Sequence, residues 1–223
     1  NNNPHTSNEP GSNFGTIGGT PMEEMAIFIG AKAIKILPKF KSLEDRNSKV
    51  YWCWPLAILG YLLGPLGCSL WFFFRKMYKK AFLLLGIGFA IELIYELLCI
   101  GTQNSALNIF SNYENFVYPA LPSLEDFDAA QTMRHLLAEL INSGASIASF
   151  ILCSLFGYNA YKNHCIEKIN EYKQTSGDLG FYRFGLASIG GTSGGMLTLG
   201  IILVFLVLSI AGAVSGIASA PII

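Results

Sequence analysis

The chain has 223 residues, of which 52% are hydrophobic and only 13% charged, and its mean hydropathy is +0.42. A soluble domain carries roughly a quarter of its residues as charges, so this composition excludes an ordinary water-soluble enzyme or binding domain and points to an integral membrane protein. The formal net charge is zero, which offers no basic field to a nucleic acid, and no nucleic-acid partner is expected.

Residues 1–20 are rich in Asn, Gly, Ser and Pro, with no apolar core and no Lys or Arg. They read as a disordered leader or linker rather than a signal peptide. Thr20-Pro21-Met22-Glu23 has the form of a capping box with Pro at the first helical position, which predicts a helix from Met22 to about Ile29. A further turn or two over 31–37 is expected to break before Pro38. Residues 21–50 carry six basic side chains, Lys32, Lys35, Lys39, Lys41, Arg46 and Lys49, interleaved with apolar ones. They form a basic amphipathic segment suited to a membrane surface, with membrane lipid as its expected partner.

The membrane domain is expected over 51–223, with apolar segments at 51–74, 81–101, about 136–158 and 194–220. The second is 21 residues long, and a helix of that length spans roughly 31 Å, enough for a hydrocarbon core. The third carries Ser143, Gly144, Ser146 and Ser149, small residues that suit close contact with another helix. The fourth contains Gly212 and Gly216 in a GxxxG spacing, so a homo-oligomer or a membrane-protein partner is the expected contact.

The first segment is interrupted by Gly64-Pro65, and Lys and Arg positions bear on whether it crosses. Beyond the six before residue 50, the basic residues fall at Arg75, Lys76, Lys79 and Lys80, at Arg134, and at Lys162, Lys168, Lys173 and Arg183. Residues 102–133 hold no basic residue, but carry Glu114, Glu125, Asp126 and Asp128. Four crossings would put either the N-terminal flank or the 75–80 cluster outside. If 51–74 enters and returns, every strongly basic stretch is cytoplasmic and 102–133 is outside. Gly60, Gly64, Pro65 and Gly67 supply residues for such a turn. The expected fold is therefore an all-α polytopic membrane bundle: three spanning helices plus one re-entrant or interfacial helical hairpin, with a kinked full span as the alternative. Arg75, Lys76, Lys79 and Lys80 are expected as an interfacial basic cluster.

Glu92 and Glu96 lie one helical turn apart in the second apolar segment, Glu92 near its middle. A charge there costs on the order of 2.5–3.5 kcal/mol on insertion scales. Glu139 lies near the outer end of the antiparallel third segment, where it can meet Glu96, with Asn142, His135 and Arg134 near. Glu92, Glu96 and Glu139 thus define a candidate ion or proton site, against the alternative of hydrogen-bonded structural carboxyls. Gly190 to Gly195 precedes the last segment as a flexible, N-capped loop able to face an anion, but lacks the GK[ST] of a phosphate loop. His164 and Cys165 are adjacent, which on a helix points them apart. No CxxC pair, nucleophile elbow or HExxH occurs. No enzyme activity, metal or cofactor is expected.

Several pieces occur together: Phe28-Ile29-Gly30-Ala31-Lys32 with Lys39-Phe40; Trp54-Pro55; Phe74-Arg75-Lys76-Met77-Tyr78-Lys79-Lys80; Tyr158, Tyr161, His164, Lys168 and Ile169; and Gly190-Gly191-Thr192-Ser193. Over about residues 22–205 this combination resembles a family of small bacterial inner-membrane proteins built on a domain of unknown function. The resemblance implies a Gram-positive-type bacterial inner-membrane protein and supplies no activity; the multi-pass topology and the cytoplasmic N-terminus are expected from the apolar segments and the basic flanks. Many relatives carry an upstream zinc ribbon, whereas no Cys precedes Cys53 here. The expected function is a non-enzymatic accessory or scaffold factor; the alternative is a small transporter or channel subunit with an intramembrane acidic site.

Overall fold

A computed structural model describes residues 15–99, 129–175 and 179–218. In chain order it contains a two-stranded hairpin, β1 (Thr16–Ile17) and β2 (Thr20–Pro21), then α1 (Met22–Ile29), a 3-10 turn (Gly30–Lys32) and α2 (Ala33–Asp45). There follow α3 (Trp54–Phe74), α4 (Tyr78–Cys99), α5 (Ala129–Thr175), α6 (Leu179–Ile189) and α7 (Gly194–Ala218). Among the described residues the architecture is all-α apart from the small hairpin, and four helical stretches are long and apolar enough to cross a membrane: Trp54–Phe74, Tyr78–Cys99, Thr132–Thr175 and Phe181–Val214. The expected outer loop lies almost wholly outside the described residues.

The chain divides into two compact units. One joins residues up to Tyr51 with Tyr158–Thr192; the other joins Trp52–Gly157 with the chain from Ser193. The first is built on periodic apolar faces. Ala33, Ile36, Phe40 and Leu43 are the buried stripe of α2, and Tyr158, Tyr161, Cys165 and Ile169 are that of the C-terminal part of α5. The Phe40 and Tyr161 rings meet edge to face with centroids 5.7 Å apart, a contact favoured by the aromatic quadrupole. Lys39 Nζ donates to the Tyr158 hydroxyl at 2.6 Å. Ion pairs Glu23–Arg183 (2.8 Å) and Glu24–Lys173 (2.7 Å) join α1 to α6 and to α5.

Several local expectations are corrected here. Residues 16–21 form the β-hairpin, turning through Gly18 (φ 56°) and Gly19 (φ 76°), and the Gly18 N–H donates to both Glu44 carboxylate oxygens at 2.9 and 3.1 Å. That pairing draws Thr20 into the strand, where it is buried. Pro21, not Thr20, is the N-cap of α1, and no side-chain capping bond forms. Pro38 does not end a helix; it lies inside α2. Its ring removes the donor for the Ile34 carbonyl, at a place where Ile34 is 87% exposed and apolar burial on the opposite face holds the helix. The helix expected over 136–158 runs from Ala129 to Thr175, about 70 Å at helical rise. Residues 179–189, expected only as part of a cytoplasmic connection, form α6.

The second unit is organised by α3. At Gly64 the backbone leaves the helix with φ 54° and ψ −137°, a conformation open to glycine alone. The chain then reverses. Cys68 Sγ lies 3.9 Å from the Leu56 carbonyl oxygen, although 12 residues of straight helix would separate them by about 18 Å. A Cβ at Gly67 would drive into the Leu59 carbonyl, so this glycine sets how closely the two limbs approach. The first limb runs antiparallel along α5: Leu56 faces Gly157, Gly60 faces the Phe150 backbone, and Gly64 faces Ser146. The second limb is buried from Gly64 to Phe73, with Leu66 on Gly88 of α4 and Leu70 and Phe73 on Gly200 of α7. Leu66, Leu70, Leu85 and Val204 form the apolar core there.

Residues 15–51 and 158–192 fold into one unit. If α4 and α5 each cross a membrane once, two segments held in one unit share a side only when α3 does not cross, and the reversal at Gly64 is the geometry that a hairpin requires.

Candidate functional site

The hairpin tip meets α4, α5 and α7 around a cavity of about 110 Å³. The polar residues that line it are Glu92, Asn142 and Ser146, together with Gly64 and Gly88, which have no side chain to present. Local sequence explains the arrangement. Gly88 and Glu92 stand one turn apart on α4, and Asn142 and Ser146 one turn apart on α5, so each helix offers a pair on one face. Gly64 completes the lining because only its missing side chain lets the tip approach α5: a Cβ there would stand 3.1 Å from Ser146 Oγ. The rest is apolar, including Leu62, Leu66 and Leu208.

The three sequence-predicted carboxyls separate in role. Glu92 lines the cavity. Glu139 accepts a hydrogen bond from the Tyr95 hydroxyl at 2.9 Å; the bond across these helices is made by Tyr95 rather than by Glu96 beside it. One Glu96 carboxylate oxygen is buried with no hydrogen-bond partner among the described residues. Arg134 and His135 are exposed on α5. The sequence marks Glu92 as a mid-span charge but does not join it to Ser146 or Gly88. The signal was present in the two i, i+4 polar or small pairs, but it needed the fold-back at Gly64 to become a site.

The basic cluster also divides. Lys79 and Lys80 are exposed, whereas Arg75 is only 7% exposed, with its guanidinium 5.6 Å from the Trp71 ring centroid and 5.7 Å from that of Phe74. Such distances favour attraction to the ring faces. Lys76 takes φ 58° in the turn that ends α3. There the N–H groups of Lys76 and Met77 donate to the Phe73 and Phe72 carbonyls at 3.0 and 2.9 Å, a helix-ending pattern that uses a left-handed residue.

The other candidates are occupied structurally. Gly190 lies against the Phe28 backbone, and Gly191, at φ 75°, donates to the Phe28 carbonyl at 2.6 Å. Ser193 caps α7, accepting from the Met196 N–H at 3.2 Å. Cys165 is fully buried, and the His164 ring packs against Phe28 with centroids 6.4 Å apart. Comparison of the chain with protein-family models, curated proteins and solved structures finds no match in any of the three.

Proposed function

We propose that this is a multi-pass protein of the bacterial inner membrane with a cytoplasmic N-terminus, serving as a non-enzymatic accessory or scaffold factor. Its spanning helices associate with a second copy or another membrane protein. The location draws on the resemblance described above and on the basic stretches, which fall on one side once α3 is a hairpin. The contrast between two sets of glycines carries the assembly reading. Gly60, Gly88, Gly157 and Gly200 are consumed by close approaches inside the bundle, whereas a Cβ at Gly86, Gly144 or Gly212 would meet no atom of the described residues within 4 Å. Small residues on open helix faces are what close helix association requires in lipid. Photo-crosslinking residues at 86, 144 and 212 in native membranes are expected to trap a membrane protein partner, and Gly144→Leu to reduce that adduct without lowering the folded yield. A chain that stays monomeric and uncrosslinked in a bilayer overturns this reading.

A second reading, a small transporter or channel subunit, is favoured by the polar cavity beside Glu92. It predicts ion flux in proteoliposomes that falls at least tenfold in Glu92→Gln. Absence of flux in wild-type protein rejects it and leaves the accessory reading untouched.

A further inference from the structure

We propose that the cavity at the hairpin tip is a binding site for one alkali-metal cation, with Glu92 as the charged ligand and Asn142, Ser146 and the Gly64 backbone as neutral partners. Glu92 stands near the middle of a spanning helix, and among the described residues no Lys, Arg or His lines the cavity it faces. A carboxylate held in that setting requires a counter-charge or a proton.

The hairpin does not supply the counter-charge. At Gly64 the C-terminal end of the first limb meets the N-terminal start of the second. Their partial charges, about −0.5 and +0.5, therefore oppose one another, and the sign of the site is left to Glu92. The lining is also chemically selective. One carboxylate with an amide, a hydroxyl and backbone groups offers hard oxygen donors and a single negative charge, which matches a monovalent hard cation. Calcium takes six to eight oxygens, usually from several carboxylates, and among the described residues no group of three His, Cys, Asp or Glu side chains is placed to hold a metal ion. A volume of about 110 Å³ holds a cation with a few waters, each of which occupies about 30 Å³ in the liquid.

This site underlies the transport reading but does not depend on it, since a bound cation can also pin the hairpin tip to α4 and α5. The test uses purified full-length protein in lipid nanodiscs at fixed ionic strength. Thermal midpoints are compared in lithium, sodium, potassium and choline chloride, with equilibrium binding of radioactive sodium and rubidium. One alkali cation is expected to raise the midpoint over choline by about 2–4 °C and to bind at one per chain. Glu92→Gln is expected to abolish both effects, and Glu139→Gln to leave them intact. If Glu92→Gln does not fold, Ser146→Val takes its place, with an expected loss of at least tenfold in affinity. Equal midpoints in all four salts, a response that survives Glu92→Gln or Ser146→Val, or a response that follows pH but not the alkali cation would each overturn the proposal. Binding without flux keeps the site and rejects transport; flux without binding does the reverse.

Discussion

Among the described residues two prolines, Pro38 and Pro65, sit in helix interiors beyond the first turn, and they have opposite effects. Pro38 follows Leu37 in α2, and the helix continues through it to Asp45. Pro65 follows Gly64 in α3, and the chain folds back on itself. Each ring removes one hydrogen-bond donor, a loss common to both sites. The difference is the preceding residue. Leu37 cannot enter the left-handed half of backbone space cheaply, so it stays helical despite the crowding from the ring that follows. Gly64 can, and does so at φ 54°. Surroundings reinforce the difference. Pro38 is exposed beside an exposed Ile34, where other groups can satisfy an orphaned carbonyl, whereas Gly64 and Pro65 are buried among helices whose small residues fit a reversed chain. Reversal therefore rests on the glycine, with proline as its accompaniment.

The largest effect is expected from Gly64→Val. The new side chain must adopt a backbone conformation open to glycine alone and point a Cβ to 3.1 Å from Ser146 Oγ. The combined strain is about 2–5 kcal/mol, read as a fall in thermal midpoint and folded yield in detergent. Spin labels at 54 and 74 report the geometry directly. They should lie well inside the roughly 30 Å of a straight helix in the parent protein and move apart in any folded fraction of the variant. A short distance retained at full stability would remove glycine from the explanation.

Pro65→Ala sharpens the comparison. With Gly64 intact the label distance should not change, and the cost should stay under about 1 kcal/mol, from added freedom in the unfolded chain. Opening of the hairpin in this variant would transfer the reversal to proline. The smallest effect belongs to Pro38→Ala, expected to stabilise the first unit by about 0.5 kcal/mol as the Ile34 carbonyl regains a donor. Slower amide exchange in the first turns of α2 measures it, and a loss of stability would show that the ring itself contributes packing.

Gly190 and Gly191 extend the lesson. As sequence they form a flexible, anion-facing loop; in the fold one admits the Phe28 backbone and the other supplies a left-handed turn that donates to its carbonyl. A glycine announces that something unusual happens at its position, but not which neighbour requires it.

The sequence by itself determined the all-α character, the position of the apolar segments and the prominence of Glu92, and it favoured a hairpin over 51–74 while leaving a kinked span open. These follow from hydrophobic length, the sidedness of Lys and Arg, and the cost of one charge in mid-span, all of which are local or additive along the chain. Only the tertiary structure decided that Pro38 is tolerated, that Thr20 belongs to a strand, that α5 continues to Thr175, that Arg75 is buried under aromatic rings, and that Ser146 and Gly88 join Glu92 around one cavity. Each of those depends on which residue stands opposite, and contacts between residues far apart in the chain leave no periodic mark in the order of the amino acids.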